Sequence, residues 1–239
     1  MTNSNSRDER ILRTSAGEFP LDEYRLKSGE REWKILHVSA VLSWREESHF
    51  LREKREVVPY GVTLWASAVA LAHEIASREN EFRGKSVLEL GAGTGLPGIV
   101  AASSGARKIV QTDRSELAVS VCQRNIRLNK TAGIEQRLVD WTDWKDAAEY
   151  DWIVGSDILY DKEMHQHLRA IFEANLSTGG RILLSDPFRE PSLKLLEDLE
   201  TAGWLVSMSK WSVNVGSDGS DESSTPRPVG VFELRRPDL

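Results

Sequence analysis

The chain has a single cysteine, Cys122, in 239 residues. That excludes an internal disulfide framework and a multi-cysteine zinc site. Its five histidines, at 37, 49, 73, 165 and 167, show no metal-ligand spacing. Excess positive charge is also missing: 31 Lys and Arg stand against 37 Asp and Glu, a net charge of −6. A general binder of phosphate backbone has the opposite balance, so no nucleic-acid partner is expected. No uninterrupted apolar run is long enough to cross a bilayer. The best candidate, Val87 to Ala106, contains Glu89, five glycines and Pro97, so no membrane association is expected. The opening residues, MTNSNSRDER, lack the apolar core of a secretory signal. A reduced, cytoplasmic and monomeric protein is the expectation. No G-x-S-x-G, no P-loop lysine and no (N/D)-P-P-(Y/F) motif occurs.

What is present divides the chain in three. Residues 1–19 are polar, mixed in charge and without periodicity, and read as a flexible tail. Residues 20–58 form an N-terminal extension with a strand over Trp33 to Leu42. A sign-alternating stretch follows, Arg45 to Glu56, best read as a solvated face. Residues 59–239 carry the main domain. Its first helix spans Val62 to Ser77, with Trp65, Val69, Ala72 and Ala76 on one stripe. From residue 85, short apolar strands alternate with helical patterns, the signature of an α/β, Rossmann-like, doubly wound and mostly parallel sheet. Two strands near the C-terminus, Trp204–Val213 and Val229–Leu234, have no helix between them and should pair antiparallel.

The strongest chemical signal is Glu89-Leu90-Gly91-Ala92-Gly93-Thr94-Gly95, between a strand and a helix. Glycines allow a sharp turn and let a ligand lie on bare backbone. A dinucleotide site would want G-x-G-x-x-G, but position 96 is Leu96. An acidic Glu89 suits a cationic ligand better than a pyrophosphate. Both points favour S-adenosylmethionine (SAM) over NAD. Asp113 ends the second strand, 22 residues after Gly91, where a carboxylate can accept both ribose hydroxyls; capping the helix near Ser115 is its alternative. Asp140 and Trp141 follow the third strand, where an adenine ring would lie, although Trp141 could equally be core. After the fourth strand come Ser156, Asp157 and Tyr160. Asp157 could hold and orient an incoming ammonium against the Tyr160 ring, or loosely cap the next helix.

These segments resemble a known family. VLELGAGTGLPGIVAASSGA with QTDRSE is similar to the motifs of class I, seven-strand SAM-dependent methyltransferases. GVTLWASAVALA, Asp140-Trp141 and SDILYDKE resemble, more narrowly, the methyltransferase-like protein-lysine methyltransferase group, family 16. The resemblance covers roughly residues 59–236. It implies a seven-stranded sheet and SAM contacts from Trp65, Gly91, Ala92, Gly93, Asp113, Trp141 and Ser156. To these the residues themselves add Glu89, Gly95 and Asp140. It matches Asp157 and Tyr160 to a D-x-x-Y motif at the acceptor and implies a protein lysine as substrate. A small-amine acceptor, or a SAM-binding module without turnover, remains open at this point.

Overall fold

The computed structural model describes residues 10–14, 17–38, 60–214 and 226–237. Strands β4 (Ser86–Leu90), β5 (Lys108–Asp113), β6 (Ile134–Leu138), β7 (Tyr150–Ser156), β8 (Leu176–Asp186), β9 (Leu205–Val213) and β10 (Arg227–Arg235) form one seven-stranded sheet. Its order is β6-β5-β4-β7-β8-β10-β9. The pairs among β4 to β8 are parallel; β10 runs antiparallel to both β8 and β9. The expected sheet and its antiparallel C-terminal pair are both present.

Helices α1 (Ala66–Ser77), α2 (Glu79–Phe82), α3 (Leu96–Ser103), α4 (Glu116–Leu128), α5 (His165–Asn175) and α6 (Glu190–Thr201) flank the sheet. Strand alternation divides the core between its two faces. Val87, Ile109, Trp152, Val154 and Leu183 pack with α1 and α3. Leu88, Leu90, Val110, Ile153 and Leu184 pack with α5 and α6. The chain moves outward from β4 to β5 and β6, then returns to lay β7 on the other side of β4. The strand order therefore reverses at β4, and the crevice beyond the carboxyl ends of β4 and β7 is where such sheets bind ligands.

Two expectations for the N-terminal part are corrected. Ile11–Thr14 (β1) and Gly17–Ser28 (β2) are strands, so residues 11–14 and 17–19 belong to folded structure rather than to a flexible tail. With β3 (Arg31–Val38) they form a separate antiparallel sheet, β1-β2-β3. The strand foreseen at Trp33–Leu42 is thus β3, and residues 39–42 and Arg45 to Glu56 lie outside the described residues. β2 lacks a period-two signature because it buries both faces. Leu21 packs with Leu36, Val38 and α4, while Tyr24 and Leu26 face α1 and α3 with Trp33 and Ile35.

The outer edge of β3 is paired with side chains rather than another strand. Asn129 accepts from Lys34 N and donates to Lys34 O. Asn125, fully buried, does the same for Leu36 at 2.7 and 3.0 Å. Its second N–H donates to Thr94 O at 2.9 Å. One asparagine of α4 therefore joins the N-terminal sheet to the glycine loop, and satisfies edge groups that would otherwise be costly to bury.

Candidate active site

The loop after β4 turns through three left-handed glycines, Gly91 (φ +64), Gly93 (φ +54) and Gly95 (φ +80). A side chain at Gly91 would strike Ile158, and one at Gly95 would strike Cys122. Gly93 and Gly91 keep partial exposure, whereas Ala92 and Gly95 are buried. The short turn Tyr60–Val62 lies over this loop, with Gly61 O beside Gly93.

Asp113, at the carboxyl end of β5, turns its side chain to the loop. Oδ2 accepts from Gly93 N at 2.9 Å and Oδ1 from Ser115 N at 2.9 Å. Ser115 itself caps α4, accepting from Ala118 N. Burial raises the Asp113 pKa, opposed by the Ser115 and Gly93 N–H groups. A carboxylate has about four acceptor positions, so those two bonds leave capacity for a diol. Trp141 brings its ring edge to Gly91. Asp140 is exposed and caps a 3-10 turn, its Oδ1 accepting from Thr142 N and Oγ1.

Glu89 departs from its expected role. In β4 it shares a face with Val87, so it points beneath the loop toward α3, 1% exposed. Oε2 accepts from Gly98 N at 3.1 Å and Gln111 Nε2 at 2.6 Å. Gln111 also donates to Gly95 O and accepts from Cys122 Sγ. Burial pushes Glu89 up to about 8, so at neutral pH it is largely protonated. It buttresses the loop; it does not supply negative charge to a ligand. The reason was present in the alternation of SVLEL, which sets Glu89 opposite Leu88 and Leu90.

This raised pKa has a stability consequence. The folded state binds the proton more tightly than the unfolded state, so stability falls as pH rises from near 4.5 to about 8. Glu89→Gln does not titrate. Its unfolding free energy relative to wild type should improve by on the order of 3 kcal/mol between pH 5 and pH 8. Urea unfolding of both proteins at those two pH values measures it, and a constant difference would contradict the assignment.

Trp65 is also corrected. It sits at the N-cap of α1 with extended backbone (φ −89, ψ 147), not on a helical stripe. The helix begins at Ala66, after the β-branched pair Val62 and Thr63. Ser67 O accepts from Ser185 Oγ at 2.8 Å. That bond pins the start of α1, and Trp65 with it, near the carboxyl end of β8.

β7 ends at Ser156, partly exposed and in register with Ser185 of β8. Asp157 follows in a left-handed conformation (φ +58), its N–H donating to Ser185 O at 2.8 Å. Its carboxylate pairs with the Arg189 guanidinium, a partner that the sequence reading missed. Arg189 follows β8, 32 residues away, and no local pattern links the two. Tyr160 is more than a third exposed, yet burial raises its phenol pKa; Arg114 opposes this, and Asp157, Asp161 and Asp113 add to it. Tyr160 therefore lies in the electrostatic field of both Asp113 and Asp157. The structure gathers the two loops, both carboxylates, Trp65 and Trp141 at one end of the sheet.

Comparison with known proteins agrees with this arrangement. A family described as lysine methyltransferase matches residues 45–195. Protein N-lysine methyltransferase METTL21A of Xenopus tropicalis is 34% identical over 169 residues, covering 68% of this chain and 77% of its own. Histone-arginine methyltransferase METTL23 of Xenopus laevis is 31% identical over 152 residues, 59% of this chain and 61% of its own. The N-methyltransferase NodS of Bradyrhizobium japonicum, solved with S-adenosyl-L-homocysteine, shares the fold: TM-score 0.52, 14% identity, 70% of this chain and 88% of its own. The matched span runs through the glycine loop, Asp113, Asp157 and Tyr160, and the chain belongs to the lysine methyltransferase family, whose members are SAM-dependent enzymes.

Proposed function

We propose that this protein transfers a methyl group from SAM to the side-chain ε-amine of a lysine in another protein. The observation that carries the reading is the placement of two unlike carboxylates around Tyr160 at the carboxyl end of the sheet. Asp113 is fastened to the glycine loop. Asp157 stands across the strand-order reversal, beside Tyr160. The first suits a ribose and the second a cation.

The residues fit SAM. Gly91 and Gly93 leave backbone bare, Asp113 has acceptor capacity for the ribose hydroxyls, and Trp141 borders Gly91 where an adenine ring would be flanked. Trp65, Ser156 and the turn at Gly61 would enclose the remainder. Bound there, SAM supplies an electrophilic methyl group on a sulfonium. The protein's part is to present the acceptor. A lysine amine has a pKa near 10.4 in water and must shed a proton to expose its lone pair. Asp157 holds the ammonium by charge-assisted hydrogen bonds and accepts the proton that the amine sheds. Tyr160 forms a wall that keeps the chain of methylenes in line. Positioning and electrostatics, rather than covalent chemistry, supply the acceleration. The lone thiol, buried Cys122, suits a reduced cytoplasmic setting, and we read the enzyme as a monomer acting there.

A guanidinium acceptor is the second reading. Asp157 already binds a guanidinium in this structure, that of Arg189, and METTL23 carries arginine in its name. The test is incubation of the purified protein with tritiated SAM and a cell extract, followed by acid hydrolysis of the labelled protein. Label in methylated lysine is the expected result. Label in methylated arginine would favour the second reading. Label confined to small molecules, or no transfer despite SAM binding, would overturn both.

A further inference from the structure

We propose that Arg189 is a positioning residue for methyl transfer: anchored on Asp186, it fixes the Asp157 carboxylate beside the acceptor. The inference rests on the assignment of Asp157 to the acceptor.

Three observations carry it. The first is a chain of contacts leading from the core to the site. Asp186 ends β8 and its side chain is fully buried. Its Oδ1 accepts from Arg189 N at 2.7 Å, and its Oδ2 accepts from Ser192 Oγ at 2.6 Å. The Arg189 guanidinium then reaches Asp186 Oδ2 at 3.4 Å and Asp157 Oδ1 in direct contact. The Arg189 and Asp157 side chains are only 13% and 9% exposed, so their geometry is held by packing and is poorly screened by water.

The second observation is backbone strain at both ends of this contact. Asp157 (φ +58) and Phe188 (φ +65) are left-handed non-glycine residues, and they follow the ends of neighbouring strands β7 and β8. Such conformations are uncommon, and a bulky Phe in one is an outlier. They persist where the surroundings over-determine them, often at functional sites. Here they turn the Asp157 and Arg189 side chains toward each other across the end of the sheet. Phe188 is locked by an edge-on contact with Phe232, ring centroids 6.1 Å apart, above Gly230, where a side chain would collide with either ring.

The third is the placement of charge. The Arg189 guanidinium stands between the Asp157 and Asp186 carboxylates and contacts both. Removing Arg189 takes that positive charge away from two poorly exposed carboxylates. The Asp157 carboxylate then loses the contact that orients it.

The experiment compares Arg189→Met, Arg189→Lys and Asp157→Asn with wild type. Transfer is read as initial rates of tritium passing from SAM to acid-precipitable extract protein across a dilution series, and SAM affinity by calorimetry. Arg189→Met is expected to lower the maximal rate by ~30-fold or more with SAM affinity within about twofold. Arg189→Lys, which keeps the charge and is the safer variant to fold, should recover roughly a third or more of the lost logarithm of rate. A double variant carrying Asp157→Asn and Arg189→Met should be no slower than Asp157→Asn alone, because Arg189 acts through Asp157. A crystal structure of Arg189→Met should show the Asp157 carboxylate in a new rotamer. Full activity of Arg189→Met, parallel loss of SAM binding and rate, or an unmoved Asp157 carboxylate would each overturn the proposal. If Asp157→Asn is itself fully active, the acceptor assignment has failed. If Asp157→Asn is inactive and Arg189→Met normal, only the positioning role has.

Discussion

Asp157→Asn should lose methyl transfer by on the order of 100-fold or more while binding SAM as wild type does. The substitution is chosen for its backbone. Asp157 is left-handed, and asparagine tolerates that region better than alanine. Its N–H keeps the 2.8 Å bond to Ser185 O. What changes is charge: a neutral amide can orient an amine but cannot hold an ammonium or accept the charge of its proton. The residues proposed to hold the ribose and the loop, Asp113 on β5 and the glycines after β4, lie on other elements, with only Ser156 beside Asp157, so cofactor affinity should move by less than about twofold. Initial rates with tritiated SAM, beside calorimetric titration of the same preparations, give both numbers. Equal losses of rate and SAM affinity would place Asp157 in the cofactor site instead.

Asp113→Ala should show the opposite split. The Asp113 carboxylate receives Gly93 N and Ser115 N, and in the proposed reading its remaining lone pairs receive the ribose. Removing it leaves a loop amide without its acceptor and withdraws the ribose contacts. Two charge-assisted hydrogen bonds to a ligand contribute about 3 kcal/mol after solvent exchange, which is roughly 100-fold in SAM dissociation constant. Asp113→Asn is no safe substitute, since one side of the amide would set NH₂ against a backbone N–H. α4 should remain folded, because its cap is Ser115, not Asp113. Calorimetry measures the affinity and circular dichroism the fold. A SAM affinity within threefold of wild type would remove Asp113 from the cofactor site.

Much of this was legible in the chain. The alternation of short apolar strands with helices announced the sheet. The glycine spacing places the loop, and the strand pattern puts Asp113 at the end of one strand and Asp157 and Tyr160 after another. Three things were not legible. The start of the helix at Ala66 rather than before Trp65 is not encoded by the apolar stripe, which continues backwards past it. For Glu89, strand parity in SVLEL gives the face, but the burial that raises its pKa is a property of the packed interior. β2 went unseen because a strand that buries one face at each end has no simple period.

Local sequence determined the identity of the elements, the glycine loop and which residues stand at strand ends, since those follow from periodicity and from backbone permissions of single residues. Tertiary structure alone decided partnership. Asn125 meets Leu36 and Thr94 across 89 and 31 residues, and Arg189 meets Asp157 across 32. Such pairs form because buried polar groups must find partners wherever the fold brings them, and no short-range pattern in the chain encodes which ones will be near.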